Sequence, residues 1–292
     1  MTGLTFSVRE RLEQIRSFLD QGALYAVDPE DQTELRNRTA ELIVRLDSME
    51  QAHLTVGLAG GTGTGKSTLI NALAGGEIST ASHRRPHTDK VVVYRHRISP
   101  PPFQVEVPWK EVLHDRDSIR GILLCDLPDF DSLEESHRAA VSAFLLKLDM
   151  VVWIVTPEKY ADAQFYHFID GASKSPDNFI FVLNKVDLLF EGVPPSEGYD
   201  RLSKVSSGFA GNLSGSGIKA PLWNVSALEA LKGVSSPWNQ FQAFRNLVFK
   251  HRDAKTISVI KASNIEAETA RMLDSLQGQV RVAHKCMRAA SE

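Results

Sequence analysis

The chain has 292 residues, of which 42% are hydrophobic and 24% are charged, and its formal net charge is −3. This balance excludes an intrinsically disordered chain, since there is enough apolar material for a core, and it lacks the overall basic charge that would indicate a nucleic-acid-binding protein. The two cysteines, Cys125 and Cys286, are too far apart to suggest a disulfide framework or a zinc site, which is typical of a protein in the reducing cytoplasm.

Two amphipathic helices are predicted near the N-terminus, over residues 8–20 and 30–50, because apolar residues recur there at steps of three and four. Neither helix would be stable alone, so each needs a surface to pack against. Residues 1–52 carry six Lys/Arg against ten Asp/Glu, whereas residues 239–292 carry nine against five. The two ends therefore either attract each other or present separately solvated helix faces. The sequence shows no signal-peptide pattern and no apolar run long enough to span a bilayer.

From residue 53 onward, short apolar runs alternate with helical patterns. The predicted strands are residues 53–59, 90–97, 103–109, 122–125, 150–155, 178–183 and 221–226. The predicted helices are residues 66–75, 133–149, 161–172 and 197–213. The last of these helices is predicted to end in a loop rich in glycine and serine. Such alternation predicts an α/β fold with a mostly parallel sheet covered by helices on both faces.

The last part of the chain, residues 237–288, has a mainly helical pattern with an apolar seam that steps by three and four. The seam consists of Leu273, Leu276, Val280, Ala283 and Met287. The helical pattern reaches the end of the sequence without a stop signal, which leaves open whether the native chain continues past Glu292.

A glycine-rich loop lies between the first predicted strand of the sheet and a helix. It consists of Gly60-Gly61-Thr62-Gly63-Thr64-Gly65-Lys66-Ser67, followed by Thr68. The run fits the P-loop pattern G-x-x-x-x-G-K-[ST], in which backbone N–H groups surround phosphates and the following helix directs its positive end at them. Lys66 is expected to reach the β- and γ-phosphates, and the Ser67 hydroxyl to ligate Mg²⁺. A plain glycine-rich turn is the alternative, and the strand before and helix after the run disfavour it.

A second motif indicates which base is bound. It is the run Asn184-Lys185-Val186-Asp187, directly after a predicted strand. The Asp187 carboxylate is suited to accept hydrogen bonds from the N1–H and 2-amino groups of guanine, whereas adenine offers neither donor. The Lys185 stem would cover the base. A solvated loop is the alternative for a motif this short, but its place after the P-loop favours guanine binding.

Two further runs follow predicted strands. One is Ser226-Ala227-Leu228, whose backbone N–H groups would hold the guanine O6 atom. The other is Asp126-Leu127-Pro128-Asp129. An aspartate at the end of such a strand, here Asp126, is where a P-loop enzyme holds Mg²⁺, in this case through water. A simple turn around Pro128 is the alternative.

With these motifs in this order, residues 53–228 resemble the translation-factor-related class of P-loop GTPases, in particular its dynamin-like and Era-like members. The resemblance implies a G domain that binds GTP with Mg²⁺ and hydrolyses it. The run from Arg85 to Thr88 resembles a first switch, which implies that Thr88 closes on Mg²⁺ and on the γ-phosphate. Thr80 and Ser82 are alternatives for that role.

Arg85 is a candidate catalytic residue because of a resemblance to G-protein α subunits. In G-protein α subunits, an arginine at the same spacing before the switch threonine stabilises transition-state charge. Arg85 would act with Lys66 and Thr88 in its own chain, or across the nucleotide in a second G domain. The alternative is a solvated switch residue, or one that binds a carboxylate elsewhere.

Helices on both sides of the G domain also resemble dynamin-like proteins, in which the two chain ends form a bundle. We therefore predict N-terminal helices in residues 1–52, a G domain in 53–235 and C-terminal helices in 236–292, with the two sets of helices packing as a bundle. Plain decorating helices are the alternative. We expect guanine nucleotide and Mg²⁺ as ligands, no nucleic-acid partner and a cytoplasmic location. A nucleotide-dependent homodimer, and a peripheral membrane position reached through residues beyond this chain, are left open.

The chain departs from the family pattern at three positions. Asp129 replaces the glycine of the D-x-P-G motif, Phe130 replaces the water-orienting glutamine of Ras-like proteins, and Gly63 stands where related proteins hold a potassium-binding asparagine. We therefore expect hydrolysis to be slow without a partner or self-association. A nucleotide-binding scaffold with little turnover is one alternative. A ribosome- or RNA-associated GTPase is another, although no clear basic RNA domain follows residue 228.

Overall fold

The computed structural model describes residues 3–21, 28–47, 53–79, 91–99, 109–131, 141–172, 175–250 and 253–291. These residues divide into two compact units, each with its own apolar core. The sheet unit comprises the described residues of 53–172 and 176–252. The helical unit comprises those of 1–52 and 253–292, together with Ser175.

The sheet unit is built on seven strands. In chain order they are β1 (Leu54–Gly60), β2 (Val91–His96), β3 (Trp109–His114), β4 (Ile122–Asp126), β5 (Met150–Val155), β6 (Phe179–Asn184) and β7 (Leu222–Val225). Their order in the sheet is β3-β2-β4-β1-β5-β6-β7. All neighbours are parallel except β2 and β4, which run antiparallel. The prediction of a mostly parallel sheet with flanking helices is confirmed.

Eight helices have both ends within the described residues. They are α1 (Gly3–Asp20), α2 (Pro29–Asp47), α3 (Lys66–Ala74), α4 (Ala163–Gly171), α5 (Pro195–Gly215), α6 (Ala227–Leu231), α7 (Phe241–Lys250) and α8 (Ala254–Ser291). Residues 141–145 are helical as well. Short 3₁₀ helices occupy Asp117–Ile119, Pro176–Asn178 and Val186–Leu189.

The centre of the sheet explains its apolar sequence. Every residue of β1, β5 and β6 is buried, as expected for parallel strands covered on both faces. The strands β4, β1, β5, β6 and β7 run in the same direction, so their carboxyl ends lie along one edge of the sheet. The loops that leave this edge carry the predicted phosphate, metal and base motifs, which is the usual ligand-binding edge of an open α/β sheet.

Three details differ from the sequence-based expectations. Of the strand predicted at residues 103–109, only Trp109 lies in the described part of the chain, and β3 continues from there to His114. Helix α5 continues through the predicted Gly/Ser loop to Gly215, because Leu213 is buried and its packing outweighs the low helix propensity of glycine and serine. Helix α7 belongs to the sheet unit, although we grouped it with the C-terminal helices.

The helical unit brings α1, α2 and α8 together as a bundle, as predicted. One apolar cluster joins all three helices and consists of Val8, Leu12, Leu42, Ile43, Leu46, Ala262 and Ile265. A second cluster is formed by Ile15, Leu19 and Met272, with Leu35, Leu273, Leu276 and Val280 packed against it. The predicted seam therefore contributes three residues to the bundle core. The side chains of its other two members, Ala283 and Met287, lie outside the described part.

Two ion pairs between the N-terminal helices and α8 have the opposite polarity to the one that the net charges of the chain ends would suggest. Arg11 lies 3.6 Å from Glu266, and Arg45 makes a two-fold contact of 2.8 and 3.1 Å with the buried Glu268. In both pairs the arginine comes from the acidic end and the glutamate from the basic end. Apolar burial along the seam, rather than net charge, therefore accounts for the association of these helices. None of the described helices is long and apolar enough to cross a membrane.

Candidate nucleotide-binding site

The glycine-rich loop connects β1 to α3 in a conformation that requires glycine at two positions. Gly63 and Gly65 have φ angles of 75° and 87°, in the left-handed region that favours glycine. A Cβ atom on Gly65 would also lie 2.5 Å from the Asn184 side-chain nitrogen. The Thr64 hydroxyl closes the loop by donating to the Gly61 carbonyl oxygen at 2.9 Å. The loop therefore has the narrow arch that a phosphate cradle needs.

Lys66 is buried inside this arch. Its Nζ donates to the carbonyl oxygens of Gly60 and Gly61 at 2.9 and 3.3 Å, and it forms an ion pair with the Asp129 carboxylate. An ammonium group has three N–H donors, so these three partners can satisfy all of them. The lysine predicted to contact phosphate is thus paired with the residue that departs from the D-x-P-G motif.

Ser67 and Asp126 come together as predicted for a metal site. The Ser67 hydroxyl donates to Asp126 Oδ2 at 2.9 Å, and the hydroxyl of Ser79 donates to the same oxygen at 2.7 Å. Asp126 is fully buried, and its Oδ1 atom has no hydrogen-bond partner among the described residues. A hydroxyl and a carboxylate with a spare oxygen are ligands of the kind that Mg²⁺ takes alongside nucleotide phosphates.

The electrostatics of Asp126 reflect its depth in the site. Burial raises the pKa of this carboxyl, and the charge of Asp129 acts in the same direction. The charge of Lys66 and the hydrogen bonds from Ser79 and Ser67 oppose that shift and lower the pKa. A divalent cation at the open Oδ1 atom would favour the carboxylate further. The described residues contain no cluster of three or more Asp, Glu, His or Cys that could hold a metal, so such a site would depend on Ser67, Asp126 and the phosphates.

Asn184 connects the three predicted nucleotide-binding motifs. Its Nδ2 donates to the Thr64 carbonyl oxygen in the P-loop at 2.8 Å. Its Oδ1 accepts from the backbone N–H of Ala227 at 3.1 Å. Because Asn184 ends β6, a single buried amide joins the phosphate loop to the loop after β7. This amide therefore connects the predicted phosphate-binding and base-binding loops.

Asp187 is the predicted guanine ligand, and it lies in the 3₁₀ helix just after β6. Its Oδ1 atom is buried and has no hydrogen-bond partner among the described residues, as expected for an acceptor kept for a base. Lys185 adopts a left-handed φ of 62°, and its Cε would lie 3.8 Å from a Cβ on Gly65. The lysine stem therefore approaches the P-loop, beside the place where a base would lie.

The loop after β7 is held in a defined shape. The Ser226 hydroxyl accepts from the Glu229 N–H at 3.2 Å and caps α6, while Asn239 bonds both the N–H and the carbonyl of Ser226. Leu228 is about half exposed. The backbone of this loop is thus fixed, although the Ala227 N–H predicted to meet guanine O6 donates here to Asn184.

The switch residues predicted from resemblance cannot be placed. Arg85 and Thr88, and the alternatives Thr80 and Ser82, lie outside the described residues. Their roles as catalytic and metal-binding residues remain predictions. Thr68 lies in the first turn of α3 and is partly exposed.

Several site residues were missed by sequence reasoning. Ser79 is buried against Asp126, and Asn71 holds its backbone by accepting from the Ser79 N–H at 2.9 Å and donating to the Ser79 oxygen at 2.7 Å. Asp131 accepts a hydrogen bond from the backbone N–H of Thr62. Lys159 donates a hydrogen bond to the carbonyl oxygen of Thr62. Apart from Thr62, none of these residues belongs to a predicted motif. A polar asparagine among the apolar residues of α3 was the one signal that could have pointed to Ser79.

Comparisons with known proteins agree with this geometry. Residues 55–185, a little under half of the chain, match the family described as 50S ribosome-binding GTPase. YkfA, an uncharacterised protein of Escherichia coli K12, is 26% identical over 136 residues, which cover 44% of this chain and 41% of YkfA. Residues 55–185 therefore resemble a P-loop GTPase domain, in agreement with the resemblance predicted from the motifs.

Solved structures extend the similarity to the flanking helices. A structure of an oligomerised bacterial dynamin pair, described as a mechanism for long-range sensing and tethering of membranes, is 15% identical and has a TM-score of 0.54. The match covers 99% of this chain and 49% of that chain. Era from Aquifex aeolicus is 16% identical over 68% of this chain and 56% of that chain, with a TM-score of 0.46. At such identities the likeness to the dynamin concerns the fold, and this chain spans about half the length of these structures.

Proposed function

We propose that this chain binds guanine nucleotide together with Mg²⁺ and hydrolyses GTP, as a switch or as a dynamin-like mechanoenzyme. The observation that carries the proposal is the contact of Asn184 with both the P-loop and the loop after β7, beside the open Oδ1 atom of Asp187. One buried amide thus joins a phosphate cradle to an acceptor suited to guanine. The GTPase family match over residues 55–185 supports the same function.

The chemistry asked of the protein is positioning and charge stabilisation, because phosphoryl transfer to water needs little else. The backbone N–H groups of residues 60–68 surround the phosphates, and Lys66 supplies positive charge between the β- and γ-phosphates. Ser67 and Asp126 would hold the metal. When bound, Mg²⁺ neutralises the charge that develops on the phosphate oxygens. Asp187, Lys185 and the backbone of residues 226–228 hold the base.

Calorimetric titration with GTP, GDP and ATP, each with and without Mg²⁺, tests the binding part of this proposal. We expect GTP and GDP to bind far more tightly than ATP, and Mg²⁺ to strengthen the binding of GTP. Phosphate release under steady GTP tests the turnover, which we expect to be slow for the isolated chain because Phe130 is apolar. Equal affinities for ATP and GTP would contradict the base assignment.

A nucleotide-binding scaffold with little turnover is the second candidate. The ion pair between Lys66 and Asp129 favours it, because a carboxylate near the γ-phosphate would oppose closure of the site around GTP. The two candidates differ in one measurement. A scaffold binds GTP and releases no phosphate above background, even at high protein concentration where self-association would raise a slow GTPase rate.

The partners of the G domain are proposed from resemblance. A nucleotide-dependent homodimer, and a peripheral membrane position reached through residues outside this chain, are the partners that fit the fold of the bacterial dynamin pair. The name of the matched family keeps a ribosome-associated GTPase as a third candidate. Salt-dependent binding to ribosomes or RNA would favour that candidate over the expectation of no nucleic-acid partner. Sedimentation with GDP and with a non-hydrolysable GTP analogue tests the homodimer.

Replacing Arg85 by alanine tests a catalytic role for this switch residue. If Arg85 stabilises transition-state charge, the single-turnover rate of hydrolysis should fall by up to about a thousandfold while GTP affinity is nearly kept. The matched control is Arg84→Ala, which removes the neighbouring arginine. A catalytic arginine of this kind contributes about 1,000-fold or more to the rate. A variant whose rate stays within about threefold of the original would therefore exclude Arg85 from the mechanism.

A further inference from the structure

A short acidic segment lies against the P-loop. It consists of Asp129, Phe130 and Asp131, which follow β4, and we call it the acidic strap. Phe130 is buried, with its ring 4.9 Å from that of Phe168 on α4. The two aspartates on either side of this apolar anchor both contact the P-loop.

The first contact occupies the phosphate-binding lysine. Lys66 and Asp129 form an ion pair in which both side chains are largely buried, with 6% and 13% of their surfaces exposed. Under the function proposed above, Lys66 contacts the β- and γ-phosphates. Asp129 therefore supplies the negative charge that a nucleotide would bring to Lys66.

The second contact holds the outer part of the loop. Asp131 Oδ1 accepts from the N–H of Thr62 at 2.6 Å and from its hydroxyl at 2.8 Å. Lys159 Nζ donates to the Thr62 carbonyl oxygen at 2.8 Å and lies 3.4 Å from Asp131 Oδ2. The missing side chain of Gly61 permits this approach, because a Cβ there would lie 2.6 Å from Asp131 Oδ2. All the polar atoms of Thr62 are thus satisfied by Asp131 and Lys159.

A cradle preorganised for anions attracts any anion within reach, through Lys66, the loop N–H groups and the positive end of α3. We propose that the acidic strap is an internal competitor for the phosphate site, so that nucleotide binding requires its release. This inference rests on the proposed function and describes its regulation. If only a fraction of the molecules has an open strap, the apparent affinity for nucleotide falls by that fraction. A partner that draws the strap away would increase nucleotide loading.

The strap acts before any nucleotide is present, which distinguishes it from simple repulsion of the γ-phosphate. Release of the strap should strengthen GDP and GTP binding by the same factor. Repulsion by Asp129 should instead weaken GTP binding more than GDP binding. Lys159 gives a second distinction, because a lysine that stabilises the closed strap opposes nucleotide binding, whereas a lysine that binds phosphate favours it.

The test is titration of the full chain with GDP and with GTP in Mg²⁺, using Asp129→Ala, Asp131→Ala and Lys159→Met. Asp200→Asn and Lys204→Met, at exposed positions on α5, are the matched charge controls. We expect either aspartate variant to bind both nucleotides about tenfold more tightly or better, which corresponds to an open fraction of about a tenth or less. Lys159→Met should tighten binding about threefold, and association of a fluorescent GDP analogue should accelerate by the same factors. The controls should leave affinity unchanged.

A gain confined to GTP, no gain in either aspartate variant, or weaker binding by Lys159→Met would each overturn the proposal. Asp129→Asn, which keeps the side-chain shape, replaces Asp129→Ala if the latter does not fold. If neither the original chain nor any variant binds guanine nucleotide, the proposed function itself fails. If the original chain and all the variants bind guanine nucleotide equally well, the proposed function stands and only the proposal about the acidic strap is rejected.

Discussion

Replacing Lys66 by alanine is expected to weaken guanine-nucleotide binding by about a hundredfold or more and to abolish measurable GTP turnover. Each charge-assisted hydrogen bond from Lys66 to a phosphate contributes about 1.5–3 kcal/mol, and about 1.4 kcal/mol corresponds to a factor of ten in affinity. In this chain Lys66 is buried in the arch of the P-loop, so no other side chain on α3 can replace its charge. The measurement is calorimetric titration together with single-turnover hydrolysis.

The control for this variant is Lys204→Ala, which removes a positive charge from the exposed face of α5. Ser67→Asn is the companion variant, since loss of the hydroxyl disturbs Mg²⁺ and should shift preference towards the diphosphate. If both Lys66→Ala and Ser67→Asn hydrolyse GTP at the original rate, the P-loop assignment is wrong.

Replacing Asp187 by asparagine is expected to shift base preference from guanine towards xanthine nucleotides. The carboxylate accepts from N1–H and the 2-amino group of guanine, whereas an asparagine amide can donate to the oxygen that xanthine carries at the same ring position. Leaving such a charge-assisted contact unmade costs about 1.5–3 kcal/mol, so affinity for GDP should fall about ten- to a hundredfold. The buried Oδ1 atom of Asp187 has no described partner to compensate for the change.

Parallel titrations with GDP and xanthosine diphosphate measure this exchange, and Asp200→Asn serves as the surface control. At nucleotide concentrations below saturation, the hydrolysis rates of the two triphosphates should change in the same direction as the affinities. A variant that still prefers GDP by the original factor would show that Asp187 does not read the base.

The two predictions test opposite ends of one site that Asn184 holds together. Its amide is bonded both to Thr64 in the P-loop and to Ala227 after β7, at separations of 120 and 43 residues along the chain. A change at this position would disturb phosphate and base binding together. Variants at Lys66 and Asp187, by contrast, should act on their own ends of the nucleotide.

The departures from the family pattern gain a physical explanation from the structure. A carboxylate at position 129 opposes the γ-phosphate unless its side chain turns away. In the structure it faces Lys66 and forms an ion pair with it. Phe130, which replaces a water-orienting glutamine, is buried and packs against the aromatic residues of α4 instead of facing solvent. Slow turnover therefore remains our expectation, with strap release as the step before binding.

The sequence by itself indicated the class of the protein and the candidate nucleotide-binding residues. Phosphate, metal and base motifs are short contiguous runs at strand ends, so their chemistry can be read without knowing how distant parts of the chain meet. The alternation of apolar runs with helical patterns likewise predicted the parallel sheet, and the steps of three and four predicted the bundle seam of Leu273, Leu276 and Val280.

Only the tertiary structure decided which residues outside the motifs complete the site. Asp131 reaches Thr62 across 69 residues of sequence and Lys159 reaches it across 97, while Ser79 meets Asp126 across 47. No local pattern encodes these contacts, because they depend on how loops after β1, β4 and β5 converge at one edge of the sheet. The direction in which Asp129 points was undecidable for the same reason. Asp129 pairs with Lys66 because the fold places this buried, positively charged side chain beside the carboxylate.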